Sequence, residues 1–413
     1  MFRNFLENLI RQLFWLAFFF VAADVTVEAQ LPLRPDAFPP IDEPVGTSKD
    51  ILMASDSATM ADWKHYPTYD YYVTMMQRYE QRYPQLCRLD TIGLSVDGRL
   101  ILCARLTNDA TMNNKPQFFY SSTMHGDELV GFHMMLHLID TLLQAYGTSP
   151  KITQLLNTTE VYINPLSNPD GTYYGNAYYG GNNTVAFSRR NNAHNVDLNR
   201  NYPDPFASPA KTLEPENEAM IDYVSRHQFR LSANLHSGSE VMNYPWDSFT
   251  STQRQHPYAD WWEAVSKRFV DTCRRVSPSM FTDVLSSGYI TGGDWYTISG
   301  GRQDYMNETQ GVLELTMELS SAKKVASDNL PRYWRSQCQA IINYIGEVHS
   351  LPGSESGVAP VMQATTWRVY PNPTRGAVTV ETDRRHVSLD LSDRSTGLYF
   401  FLIDGRWIRV VKY

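Results

Sequence analysis

From Trp63 to about Ser350 the chain alternates between β-rich and helix-patterned segments, and that alternation constrains the fold more than any other feature. Gln117–Tyr120, Val161–Ile163, Phe229–Leu235 and Val312–Leu319 are strand-like. Between them lie helical stretches at Leu129–Tyr146, Pro215–Arg226, Pro257–Val276 and Pro331–Val348. Proline opens three of these and Gly147 closes the other, as backbone chemistry prefers. Leu86–Gly93 and Leu100–Leu106 flank Asp97-Gly98, a hairpin signal. Alternation on this scale predicts an α/β domain whose mixed sheet is covered by helices on both faces, with its site at the strand ends.

Hydrophobic residues make up 42% of the chain and aromatic residues 13%, enough to bury a core of that size. The net charge of −8 is spread over interspersed acids and bases with no basic run, which excludes nucleic acid as an expected partner. Residues 1–29 read as an export signal: Arg3 and Arg11 precede or flank a short apolar run, Leu13 to Ala23. Such a run covers about half a bilayer core, so no membrane span is expected in the mature chain. Val27-Glu28-Ala29 favours cleavage before Gln30; cleavage after Val21-Ala22-Ala23 is the rival. Residues 30–62 form a proline-rich, extended lead-in, residues 351–366 a linker, and residues 367–413 a separate β-rich module. The four cysteines permit disulfides in an exported chain; one bridge and free buried thiols both remain open.

The chemistry begins with His125-Gly126-Asp127-Glu128, which follows a predicted strand and opens a predicted helix. His and Glu three apart at such a junction can face one metal ion. His133 and His137 share a helical face, but no Glu follows His133, so the zinc-helix arrangement is absent and both read as packing residues. His236 ends the strand-like run from Phe229, which places it at the same sheet edge as the first pair. Two His and one Glu leave the fourth position of zinc open, as in catalytic sites. Arg190 to Asn201 packs arginines and amides closely, either a solvated loop or a fork for a carboxylate.

Eight pieces in order resemble the zinc carboxypeptidase family, most of all the branch of carboxypeptidases D, E and N. They are His125-Gly-Asp-Glu128, Asn164-Pro-Leu-Ser-Asn-Pro-Asp-Gly171, Val196-Asp-Leu-Asn-Arg-Asn201, Glu214-Pro-Glu216, Leu231-Ser-Ala-Asn-Leu-His236, Asn243-Tyr-Pro-Trp-Asp247, Gly300-Gly-Arg-Gln-Asp-Tyr305 and Thr316-Met-Glu-Leu319. The resemblance covers residues 63–350 and implies a mixed eight-stranded sheet flanked by helices. It further implies that one zinc per chain is bound by His125, Glu128 and His236, with Asp197 orienting His125. Arg190 would stabilise the oxyanion, Glu318 would be the general base, and Asn199, Arg200 and Tyr305 would hold the terminal carboxylate of the substrate. Asp247 would lie at the base of the pocket for a departing Lys or Arg. The implied function is a secreted carboxypeptidase acting on peptide and protein C-termini. Two alternatives stand beside it: a cell-wall peptidase acting next to diaminopimelate, which Asn243–Asp247 disfavours, and a catalytically dead surface binding protein, which the competent residue at every site position opposes.

The module at residues 367–413 resembles the C-terminal sorting domain of the type IX secretion system of Bacteroidetes. The pieces are Trp367-Arg-Val-Tyr-Pro-Asn-Pro-Thr-Arg-Gly376, Gly397-Leu-Tyr-Phe-Phe401, and Gly405 to Tyr413 with Lys412 near the end. The module is shorter than such domains between Val380 and Ser388. The resemblance implies type IX machinery as a partner and export through the periplasm of a Gram-negative, Bacteroidetes-like bacterium to the medium or cell surface.

Overall fold

The computed structural model describes residues 49–175, 181–207, 212–352, 368–370, 375–381, 386–403 and 406–412. The expected signal peptide, the first part of the lead-in and nearly all of the linker lie outside the described residues. Eight strands form the main sheet: β1 Cys87–Leu94, β2 Leu100–Leu106, β3 Gln117–Ser122, β4 Glu160–Asn164, β5 Phe229–His236, β6 Ser239–Tyr244, β7 Tyr289–Thr291 and β8 Leu313–Ser320. Their order across the sheet is β1-β2-β4-β3-β5-β8-β6-β7. The centre, β4-β3-β5-β8, is parallel, and antiparallel pairs join β2 to β4 and β8 to β6. This is the mixed α/β sheet that the alternation predicted. Gly98, at φ 80, makes the turn between β1 and β2, a conformation that costs glycine no Cβ clash.

Among the described residues, six helices of eight or more residues accompany the sheet: α1 Tyr69–Arg82, α2 Val130–Ala145, α3 Pro150–Thr158, α4 Pro215–Ser225, α5 Ala259–Val276 and α6 Leu330–Gly346. Phe118 and Tyr120 of β3 point to one face, where their rings meet Tyr344 of α6 and the Tyr120 hydroxyl donates to the Ile341 carbonyl. Phe119, one residue away, points to the other face and packs with Tyr223 of α4 and with Phe229. The period of two in a strand thus divides one short run between two cores. His133 and His137 lie buried on α2, with His137 stacked between Trp63 and Trp334. Burial pushes His133 down to about 4 and His137 well below its ordinary value, so both are neutral packing groups.

The structure moves the start of the folded region ahead of the expected boundary at Trp63. Met53–Ala54 pairs in parallel with Tyr66–Pro67, and Asp56 caps a helical turn at Ser57–Met60. Ser327 holds this segment by donating its N–H to Asp50 and accepting from the Leu52 N–H. The lead-in looks extended in sequence because its partners lie far along the chain. All four cysteines are buried free thiols.

In the C-terminal module, β9 Arg368–Tyr370, β10 Ala377–Glu381 and β11 His386–Asp390 form an antiparallel sheet, and β12 Gly397–Ile403 pairs with β13 Arg406–Lys412. Val378, Val380, Leu391, Ile408 and Val410 form one apolar cluster, so the two sheets share a core of their own. The Lys412 ammonium is buried and donates to the carbonyls of Leu391, Ser392 and Arg394.

Candidate active site

The site is built where β3, β5 and β8 end. His236 is the last residue of β5 and stands directly opposite Glu318 on β8. His125 and Glu128 lie on the turn between β3 and α2, with Thr123 at φ 60 reversing the chain. Gly126 is required here, because a Cβ would lie 2.4 Å from the Gly171 backbone. The close approach lets the Asn168 amide donate to the Met124 carbonyl and Thr172 donate to the Gly126 carbonyl.

Three donor atoms converge. Nδ1 of His236 lies 3.0 Å from Nδ1 of His125 and 2.8 Å from Glu128 Oε2, while His125 Nδ1 lies 3.0 Å from Glu128 Oε1. All three side chains are buried, and their ligand atoms fall within 4.8 Å of one another. Each outer ring nitrogen is also engaged: His125 Nε2 with Asp197 at 3.1 Å, His236 Nε2 with the Asn234 amide at 2.7 Å. Fixing the outer nitrogen turns the inner one toward a common point, and this donor set of two imidazoles and one carboxylate fits zinc. It is the metal-compatible cluster found among the described residues. A larger hollow of about 560 Å³ between α3, α5 and α6 contains no such set.

Electrostatics inside the cluster follow from burial and neighbours. Burial alone would raise Glu128, but the adjacent His125 and His236 bring it well below the ordinary carboxylate range. Asp197 is lowered too, its burial outweighed by the hydrogen bond from His125 and the charge of Arg190. Glu318 goes the other way: burial and the nearby Glu128 raise it well above normal, against the opposing charges of Lys323 and Arg190. Arg190 donates to Asp197 at 2.8–2.9 Å and its other nitrogen lies 3.5 Å from Glu128. The loop carrying Arg190 and Asp197 is held by Asn192, whose amide donates to Glu214 and Glu216 at the start of α4.

His125, Glu128, Arg190, His236 and Glu318 line a cavity of about 200 Å³, together with Asn199, Asn243, Asp247, Tyr296, Ile298 and Lys323. Asp247 is buried, and the Gln303 amide donates to its Oδ1 at 2.7 Å. Burial and the neighbouring Asp304 raise it well above normal, with the Arg200 charge opposing. Gly292 makes room for it, since a Cβ there would lie 1.9 Å from Asp247 Oδ1. Asp304 fixes the loop by accepting from the N–H groups of Asp247 and Ser248. The segment bearing Gln303 and Asp304 is anchored in turn by Arg302, which forms a fully buried ion pair with Glu314 at 3.0 Å. Leaving either charge alone there would cost about 3–5 kcal/mol.

One expected residue lies elsewhere. Tyr305 is 1% exposed, packs on Tyr202 in the core, and accepts from Gln310 at its hydroxyl. It belongs to a wide turn, Tyr305–Gln310, whose first residue faces inward. Tyr296, by contrast, is half exposed at the cavity wall. Asn199 lines the cavity with its side-chain oxygen taking the Arg302 N–H, and Arg200 donates to the Asn199 carbonyl. Sequence reasoning missed Tyr296, Asn234, Gln303, Asp304 and Lys323. The available signal for Tyr296 was an aromatic just ahead of the glycine pair Gly300-Gly301.

Comparison with known proteins places this geometry. A family model for zinc carboxypeptidases matches residues 72–340. Carboxypeptidase M of Mus musculus is 31% identical over 354 residues, covering 79% of this chain and 73% of that protein. Carboxypeptidase D of Mus musculus is 31% identical over 300 residues, covering 69% of this chain but only 21% of its own length. This chain therefore spans about a fifth of the carboxypeptidase D proteins it matches. Two solved structures share the fold: thrombin activatable fibrinolysis inhibitor, with a TM-score of 0.59 at 18% identity over 72% of this chain and 77% of that one, and carboxypeptidase A from Helicoverpa armigera, with 0.57 at 21% over 71% and 76%.

Proposed function

Because this chain belongs to the zinc carboxypeptidase family, we propose that it releases single residues, Lys and Arg above others, from the C-termini of peptides and proteins. The observation that carries this reading is one cavity holding the convergent His125, Glu128 and His236, with Glu318, Arg190 and Asp247 on its walls. The chemistry supplied by one zinc, when bound, is polarisation of a carbonyl and a water acidic enough to lose its proton near neutral pH. Glu318 takes that proton on its carboxylate and returns it to the departing amine. Arg190, held by Asp197, presents a fixed cation to the negative charge that develops on the carbonyl oxygen, worth roughly 3–4 kcal/mol in such sites. Asn199 and Arg200 are assigned to the free carboxylate, and Tyr296, on the cavity wall, is assigned the role first given to Tyr305.

Asp247 supports the basic preference. A buried carboxylate pushed toward neutrality gains most from a cationic side chain brought by the substrate. The unaltered protein should cleave peptides ending in Lys or Arg far faster than those ending in Phe, Leu or diaminopimelate. Asp247→Ala should cut the Arg-over-Phe ratio of kcat/KM by roughly a hundredfold. Equal cleavage of Arg and Phe ends by the unaltered protein would rule the preference out.

Export completes the proposal. No helix of the described residues is long and apolar enough to cross a membrane. Residues 367–413, with an apolar core of their own, are read as the part addressed to type IX secretion machinery. Deleting them should leave active enzyme in the periplasm of the native host instead of at the cell surface or in the medium. An unchanged distribution of activity after fractionation would remove the tail from export.

A further inference from the structure

The floor of the cavity is β8, and its register against β6 orders the cavity along one direction. Thr316 pairs with Asn243, Glu318 with Val241 and Ser320 with Ser239. A strand rises about 3.3 Å per residue, so these alternate positions stand roughly 6.6 Å apart. Asn243 and Asp247 mark one end, Ser239, Gly238 and Lys323 mark the other, and Glu318 lies between them. An extended peptide takes two residues to cover that distance, so the residue flanking the broken bond on either side lies within side-chain reach of the corresponding end. With Glu318 at the bond that breaks and the departing side chain toward Asp247, the residue that stays on the retained chain lies toward Lys323.

Lys323 is fixed well enough to act there. Its carbonyl accepts from the Leu129 N–H and from the Ser237 hydroxyl, and its stem runs past Gly238. Its side chain is 40% exposed, with the ammonium 3.2 Å from Glu128 and 3.4 Å from Asp127. An ammonium carries three donors, and these two carboxylates take two of them. The third is available to an acid brought by the substrate, while a cation in the same place would be repelled.

We propose that Lys323 sets a preference for an acidic residue immediately before the scissile bond. The inference rests on the exopeptidase reading above, and it makes the cavity doubly selective: a base departs toward Asp247 and an acid remains beside Lys323.

The test compares three peptides ending in Glu-Arg, Ala-Arg and Lys-Arg. With attraction in one case and repulsion in the other, kcat/KM for Glu-Arg should exceed that for Lys-Arg by about tenfold at low salt and by less at high salt. Lys323→Met should bring that ratio close to one, and Lys323→Arg should keep it. A ratio cancels any general loss of activity in the variants. A ratio near one in the unaltered protein, or an undiminished ratio in Lys323→Met, overturns the proposal. Binding of the same peptides to the Glu318→Gln protein gives a second reading that needs no turnover. If the unaltered protein cuts no peptide but Glu-Arg still binds about tenfold tighter than Lys-Arg, the catalytic reading fails while the charge preference at Lys323 stands. Equal binding overturns it.

Discussion

Replacing Glu318 with glutamine should lower turnover by on the order of 10³-fold and leave the metal in place. The amide keeps the size of the side chain on β8 but cannot accept a proton. The metal should stay because the converging ligand atoms come from His125, Glu128 and His236, and Glu318 is not among them. Glu318 stands opposite His236 across β5 and β8, so the substitution also leaves the strand pairing intact. Turnover on a peptide ending in Arg and the zinc content of the same sample should therefore separate sharply. Turnover near that of the unaltered protein, with zinc bound, would remove Glu318 from the role of base.

The parts of this site that were legible in the sequence are those fixed by local geometry. His125 and Glu128 are three apart on a strand-to-helix turn, and His236 closes a recognisable strand, so their shared edge followed from the α/β pattern. The absence of a Glu after His133 marked His133 and His137 as packing residues, and the burial of α2 on nearly all sides agrees. What was not legible depends on contacts between distant segments. Asn192 reaching Glu214 and Glu216, Asp304 fixing the loop of Asp247, and Asp50 pinned by Ser327 leave no periodic trace. Tyr305 was misplaced for a related reason. The direction of a side chain leaving a wide turn is set by what the turn packs against, and here Tyr202 and the core draw it inward. Lys323 was hidden because a pair of lysines after a strand, here Lys323-Lys324, ordinarily means a solvated turn. Its place became clear only when Glu128 and Gly238 were seen beside it.

Loss of the metal should be more severe still. His236→Ala removes one of the three proposed ligands, leaves the Asn234 amide without its imidazole partner and leaves Glu128 with His125 as its remaining imidazole partner. Zinc content should fall far below one per chain, and activity should fall with it. The most direct measurement uses no variant: mass spectrometry of a peptide ending in Arg, incubated with the protein, then with chelator, then with zinc restored. The account predicts loss of single residues from the C-terminus, arrest on chelation, recovery with zinc, and no cleavage of the same peptide with an amidated C-terminus. Internal fragments, or release that continues unchanged in chelator, would contradict it.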